Sequence, residues 1–174
     1  MREVVDAPRV HAFMHALGEA SREPGRVYLT GGATAVLFGW RTSTIDVDIK
    51  VVPDGQDLFA AIPRIKEALR INVELASPDQ FVPELPGWSD RSLFIESHGA
   101  VSFFHYDFYA QVLAKIERRH DQDLVDVREM LARGLVQPKK ALELFEQIEP
   151  GLVRYPAIDP PAFRRAVDEI LGVA

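Results

Sequence analysis

Residues 45–52 read as a strand, alternating strictly between apolar and polar as far as Val51. Ile45, Val47, Ile49 and Val51 fall on one side, and Asp46, Asp48 and Lys50 on the other. A period of two predicts a strand with one face in a core. Residues 71–75 repeat the pattern, with Ile71, Val73 and Leu75 opposed to Asn72 and Glu74. Val27–Thr30 predicts a further short strand, and Ser92–Glu96 with Val101–Tyr106 a hairpin turning near His98 and Gly99. Elsewhere the period is helical. Residues 7–22 place Val10, Phe13, Met14 and Leu17 on one stripe, and 56–69 do so with Leu58, Phe59, Ile62, Ile65 and Leu69. Pro63 predicts a kink in that second helix, or two short helices, because an interior proline removes a hydrogen bond. Ala33–Phe38 predicts a short buried helix ended near Gly39, and residues 77–90, with three prolines and a glycine, predict a loop. From residue 107 the pattern is helical, over about 107–119, 121–133, 138–148 and 160–171, with Pro150-Gly151 and Pro156 to Pro161 as a stiff connector.

These elements predict a mixed α/β (α+β) fold. A small mixed sheet with flanking helices occupies residues 1–106, and a helical C-terminal region over 107–174 packs on it. With 174 residues, 47% apolar and 26% charged, the chain can bury a core without staples. It contains no cysteine, which excludes disulfides, zinc–thiolate sites and a thiol nucleophile. A net charge of −6 argues against a globally basic nucleic-acid binder. No apolar run reaches membrane-spanning length, and the start Met-Arg-Glu-Val-Val-Asp lacks a signal-peptide pattern, so the expectation is a cytoplasmic protein with no membrane partner.

Candidate chemistry concentrates in residues 29–49. Gly31-Gly32 stands between a strand and a helix, where backbone N–H groups can approach an anion closely. Asp46 and Asp48, at i and i+2 on a strand, leave the same face. Two neighbouring carboxylates repel unless a cation offsets them, and a hard divalent ion does so. Glu74 is the candidate third carboxylate if its strand lies beside 45–51; Asp79 is the fallback and Asn72 a weaker one.

The Gly31-Gly32 turn, the helix after it and Arg41-Thr-Ser-Thr-Ile-Asp-Val-Asp-Ile49 resemble the signature of the DNA polymerase β-like nucleotidyltransferase superfamily. The form is similar to the AbiEii toxin-like branch of small bacterial proteins. Lys115 and the Asp123/Asp126 pair resemble its downstream segment, with Gln122 where that pattern often has Arg. The likeness spans roughly residues 27–127. It implies transfer of a nucleoside monophosphate from a nucleoside triphosphate to an acceptor, with Mg2+ or Mn2+ as cofactor. The acceptor would be RNA, tRNA or a protein, and the chain the toxin of a toxin–antitoxin pair with an antitoxin partner. By this resemblance Asp46, Asp48 and Glu74 would be catalytic metal ligands. Gly31, Gly32, Arg41, Thr44, Lys115 and Asp126 would face nucleotide or phosphate, with Lys115 also catalytic. The alternative is a non-catalytic nucleotide-binding or interaction module on the same fold; a phosphodiesterase using the same acids ranks below both.

Other signals read as structural. His11 and His15 have an i, i+4 zinc spacing, but no third ligand is evident in the sequence. Phe103-Phe104-His105-Tyr106 suits a buried strand better than base stacking. Trp40 and Trp88 are read as core. Lys139, Lys140, Arg118, Arg119 and Arg133 are interleaved with acids and read as a solvated mixed face.

Overall fold

The computed structural model describes residues 1–172. The fold is mixed α/β. One five-stranded sheet is formed by β1 (Gly25–Thr30), β2 (Asp46–Val52), β3 (Asn72–Leu75), β4 (Leu93–His98) and β5 (Val101–His105), in the order β3-β2-β1-β5-β4. β1 runs antiparallel to β2 and parallel to β5; β3 is parallel to β2, and β4 antiparallel to β5. The helices among the described residues are α1 (Ala7–Ala20), α2 (Gly32–Phe38), α3 (Gln56–Leu69), α4 (Trp88–Arg91), α5 (Phe108–Arg118), α6 (Asp121–Ala132), α7 (Pro138–Ile148) and α8 (Pro160–Leu171). No helix among the described residues is long and apolar enough to cross a membrane.

The chain divides into two compact units, residues 1–77 with 92–106, and residues 78–91 with 107 onward. In the first, α1, α2 and α3 cover one face of the sheet. Phe13, Met14 and Leu17 of α1 and Leu58, Ile62 and Ile65 of α3 share a core with Val27, Leu29, Val47, Ile49, Val51, Val101 and Phe103. The opposite parity of β2 and β3 carries Asp46, Asp48, Lys50 and Asn72, all half-buried, and the exposed Glu74. α1 begins at Asp6, whose side chain accepts from the Arg9 amide, an ordinary N-cap.

In the second unit, Val112, Leu113 and Ile116 of α5, Val127 and Met130 of α6, Leu144 and Phe145 of α7, and Phe163 and Val167 of α8 are buried. The Phe145 and Phe163 rings meet at a centroid distance of 5.0 Å, tilted by 35°. Asp107 caps α5 by accepting from the Tyr109 amide at 3.1 Å and is wholly buried.

Several expectations are corrected. Residues 78–91 group with the helical unit, not with residues 1–106. The cause is partly visible: Arg91 of α4 donates to Asp107 through Nη2 at 2.7 Å and Nε at 3.2 Å, tying the segment to the start of α5. That stretch is also not all loop, since it holds a 3₁₀ turn at Pro78–Gln80 and α4. Of the two outcomes expected at Pro63, two short helices do not form: α3 is a single helix with the proline inside it. Pro63 lies on the exposed side, where water can serve the Phe59 carbonyl that loses its partner. Ile45 precedes β2 and is 74% exposed, and Leu75, at the end of edge strand β3, is 51% exposed. The alternating pattern runs past both strand ends because periodicity carries no information on where neighbours stop covering a strand.

Candidate functional site

The site is built on the β1–α2 turn and the neighbouring strand β2. Gly31 sits at φ 63°, ψ −129°, a conformation open essentially to glycine alone. A Cβ there would also stand 3.2 Å from Asp48 Oδ2, so the carboxylate lies directly against the turn. Gly32 opens α2 and is crowded from the other side. A Cβ on it would fall 2.0 Å from Thr44 Oγ1, 2.6 Å from Thr44 Cβ and 3.0 Å from Arg41 Nη1. The Arg41 guanidinium and the Thr44 hydroxyl are therefore packed against the turn. Thr44 is held by its backbone bridge to Val5 and by donating from Oγ1 to the Asp46 carbonyl at 3.1 Å.

Gly32→Ala is expected to destabilise the protein by about 1–3 kcal/mol, the usual cost of overpacking. The Gly32→Ala/Thr44→Gly pair should recover part of that loss in urea unfolding. A neutral Gly32→Ala would remove Thr44 from its place against the turn.

Asp46 and Asp48 are both half-buried on the same face of β2. The sheet order makes β3 the neighbour of β2, with Asp46 opposite Asn72 and Asp48 opposite Glu74. Asn72 Nδ2 donates to Asp46 Oδ1 at 2.6 Å and to Glu74 Oε1 at 3.0 Å, so one amide bridges the two carboxylates. Arg2 also donates to Asn72 Oδ1, which orients the amide with its NH2 toward the acids. Glu74 remains exposed. Among the described residues no three His, Cys, Asp or Glu side chains converge as a ready metal cage.

The donor set nevertheless fits a hard cation of the Mg2+ type, which is commonly held by one or two carboxylates with substrate phosphate oxygens completing its shell. Asp46 and Asp48 supply the two carboxylates, and the Gly31-Gly32 turn lies beside them. Glu74 stands in the neighbouring register position, linked to Asp46 through Asn72.

Lys115 and Asp126 belong to the helical unit. Lys115 Nζ is 2.8 Å from Asp126 Oδ2 and 3.3 Å from Asp123 Oδ1. Asp126 is wholly buried and Asp123 nearly so. Arg118 adds a forked pair to Asp123, with both donors at 2.7 Å. Burial pushes the Asp123 carboxyl up, but hydrogen bonds from Arg118 and Lys115 and the charges of both outweigh it, leaving it below its ordinary value. Asp79, the fallback acid, lies in the 3₁₀ turn of the same unit.

One contributor to the site escaped the sequence reading. Thr34 of α2 lies within 3.0 Å of His105 Nδ1 through its Oγ1, and Phe38 packs on the His105 ring at 4.8 Å. β5 thus anchors the helix that follows the glycine turn. Burial lowers the His105 pKa to about 4, so this contact is made by a neutral imidazole at neutral pH. The sequence signal was only that His105 sits in a strand pattern; its partner is 71 positions away.

Comparisons with protein-family models, curated proteins and solved structures find no match to this chain.

Proposed function

We propose that the protein is a metal-dependent nucleotidyltransferase that moves a nucleoside monophosphate from a nucleoside triphosphate to an acceptor on RNA or protein. The observation that carries this reading is the placement of the Asp48 carboxylate against Gly31, with Arg41 and Thr44 packed on Gly32. A pair of carboxylates and a glycine turn thereby share one corner of the sheet, which supports a metal on the first and phosphate on the second. In the proposed reaction the acceptor oxygen bonds to the α-phosphorus and the bond to pyrophosphate breaks. A divalent ion on Asp46 and Asp48 would offset charge on the transferring phosphoryl group. The Gly31-Gly32 backbone would hold phosphate oxygens, and the Arg41 guanidinium would pair with them. Glu74 would assist from the adjacent strand as the base for the acceptor oxygen. Lys115 and Asp126 are assigned to holding the helical unit together, because Lys115 is already paired to two buried carboxylates. A toxin role with a cognate antitoxin extends the same proposal.

The exposure of Glu74 favours keeping a second reading, a non-catalytic nucleotide-binding module. One experiment separates the two. Purified protein is incubated with each α-labelled nucleoside triphosphate, Mg2+ or Mn2+, and a cell extract containing RNA and protein. The wild type should label a macromolecule, and Asp46→Asn/Asp48→Asn should lower that transfer at least about 100-fold while circular dichroism stays unchanged. Equal transfer by the folded variant would overturn the enzyme reading. Triphosphate binding by the wild type with no transfer would select the module.

A further inference from the structure

A second cluster of ligating side chains lies on the helix-covered side of the sheet, between α1 and β4. His11 and His15 are one turn apart on α1, the spacing from which two imidazoles can reach one ion. The sequence offered them no third ligand; the tertiary structure brings Glu96 and His98 beside them. α1 is seated directly on the end of β4. A Cβ on Gly18 would fall 2.4 Å from His98 Cβ and 2.5 Å from the His98 carbonyl oxygen, so only a glycine permits this approach.

A β-bulge then aims the side chains. Phe94 pairs with Phe104, but Glu96 pairs with Phe103, so two residues of β4 span one step of β5. Without that extra residue Glu96 would point to the opposite face, since each one-residue slip inverts a strand. With it, Glu96 and His98 sit opposite Phe103 and Val101, both core residues, and face α1. His11 Nδ1 meets Glu96 Oε1 at 2.6 Å, and His98 Nε2 meets Glu96 Oε2 at 2.9 Å. The His15 and His98 rings touch edge to face at 5.0 Å.

We propose that His11, His15, His98 and Glu96 form a binding site for a single transition-metal ion of the Zn2+ type. Three imidazoles and one carboxylate are the nitrogen-rich set that borderline ions select, and they are unlike the all-oxygen shells of Mg2+ and Ca2+. As packed, the nitrogens of His11 and His98 address Glu96, not a common point, and binding therefore requires side-chain rotation. The side chains of His11 and His15 are 54% and 57% exposed, so they can turn without moving the backbone. The ion would replace the His11–Glu96 and His98–Glu96 contacts and the weaker 3.5 Å contact of His15 with Glu19.

The test uses the full chain carrying Asp46→Asn/Asp48→Asn, which removes the other carboxylate pair and makes the result independent of the nucleotide reading. Zn2+ is titrated calorimetrically and Co2+ by visible absorption. One equivalent of each should bind saturably, with Co2+ giving the intense bands of four-coordinate geometry. His15→Ala, at a solvent-exposed position, and His98→Asn should each weaken Zn2+ binding at least about 10-fold without loss of helical signal. Absence of saturable binding would overturn the proposal, as would undiminished affinity in His15→Ala together with His98→Asn.

Discussion

Lys115→Met is expected to destabilise the helical unit by about 3–5 kcal/mol, the range seen when one partner of a buried ion pair is removed. Lys115 Nζ is the cation beside Asp126, which is wholly buried on α6. Methionine keeps the unbranched stem, one atom shorter, but leaves that carboxylate charge without its ammonium. Asp123 is better protected because Arg118 retains its forked contact. The loss should therefore come chiefly from Asp126, and Lys115→Met/Asp126→Leu should recover most of it. Arg118→Met is the contrasting case. Its side chain is 55% exposed, and exposed pairs contribute about 1 kcal/mol or less. Denaturant unfolding of the three variants would check the ranking. A Lys115→Met cost no larger than that of Arg118→Met would show that this pair is not what holds α5 to α6.

The second large effect is loss of stability on acidification through His105. Burial lowers its folded pKa to about 4, against an ordinary value of 6.5. Between those values the unfolded chain binds a proton that the folded chain refuses. Stability is therefore complete above pH 6.5 and falls as the pH drops toward 4. Full passage through that window is equivalent to about 3 kcal/mol at 1.36 kcal/mol per pKa unit. Protonation places an uncompensated charge in the buried pocket beside Thr34 and Phe38, so α2 and the Gly31-Gly32 turn should loosen with it. His105→Gln should flatten the stability profile between pH 4 and 6.5 relative to wild type, measured by chemical denaturation at each pH. Identical profiles would place the acid sensitivity elsewhere.

Much of the fold was legible in local pattern. The helix read over residues 56–69 is α3, and the alternation of Val47, Ile49 and Val51 is the buried side of β2. The four helices expected after residue 107 all form, with ends within about two residues. The glycine turn and the Asp46/Asp48 pair were legible for the same reason. Both arise from residues that are neighbours in the chain, where backbone geometry alone sets which way side chains leave.

Contacts that join distant segments were not legible. Glu74 lies beside Asp48 only because β3 pairs with β2, and the alternation within 71–75 is compatible with other strand orders. Segment 78–91 groups with the helical unit, where Arg91 reaches Asp107, although its prolines mark it only as irregular. The resemblance placed Lys115 on a phosphate, and its ion pairs with Asp126 and Asp123 emerge only when α5 and α6 are packed. The bulge that turns Glu96 toward His11 leaves no trace in composition. By itself, then, the sequence determined the elements, the buried stripe of each, and the acid pair beside a glycine turn, because helix and strand periods are properties of a few successive residues. Strand order, the bulge and the burial of Lys115 were decided by tertiary structure alone, because each depends on which distant apolar faces cover one another.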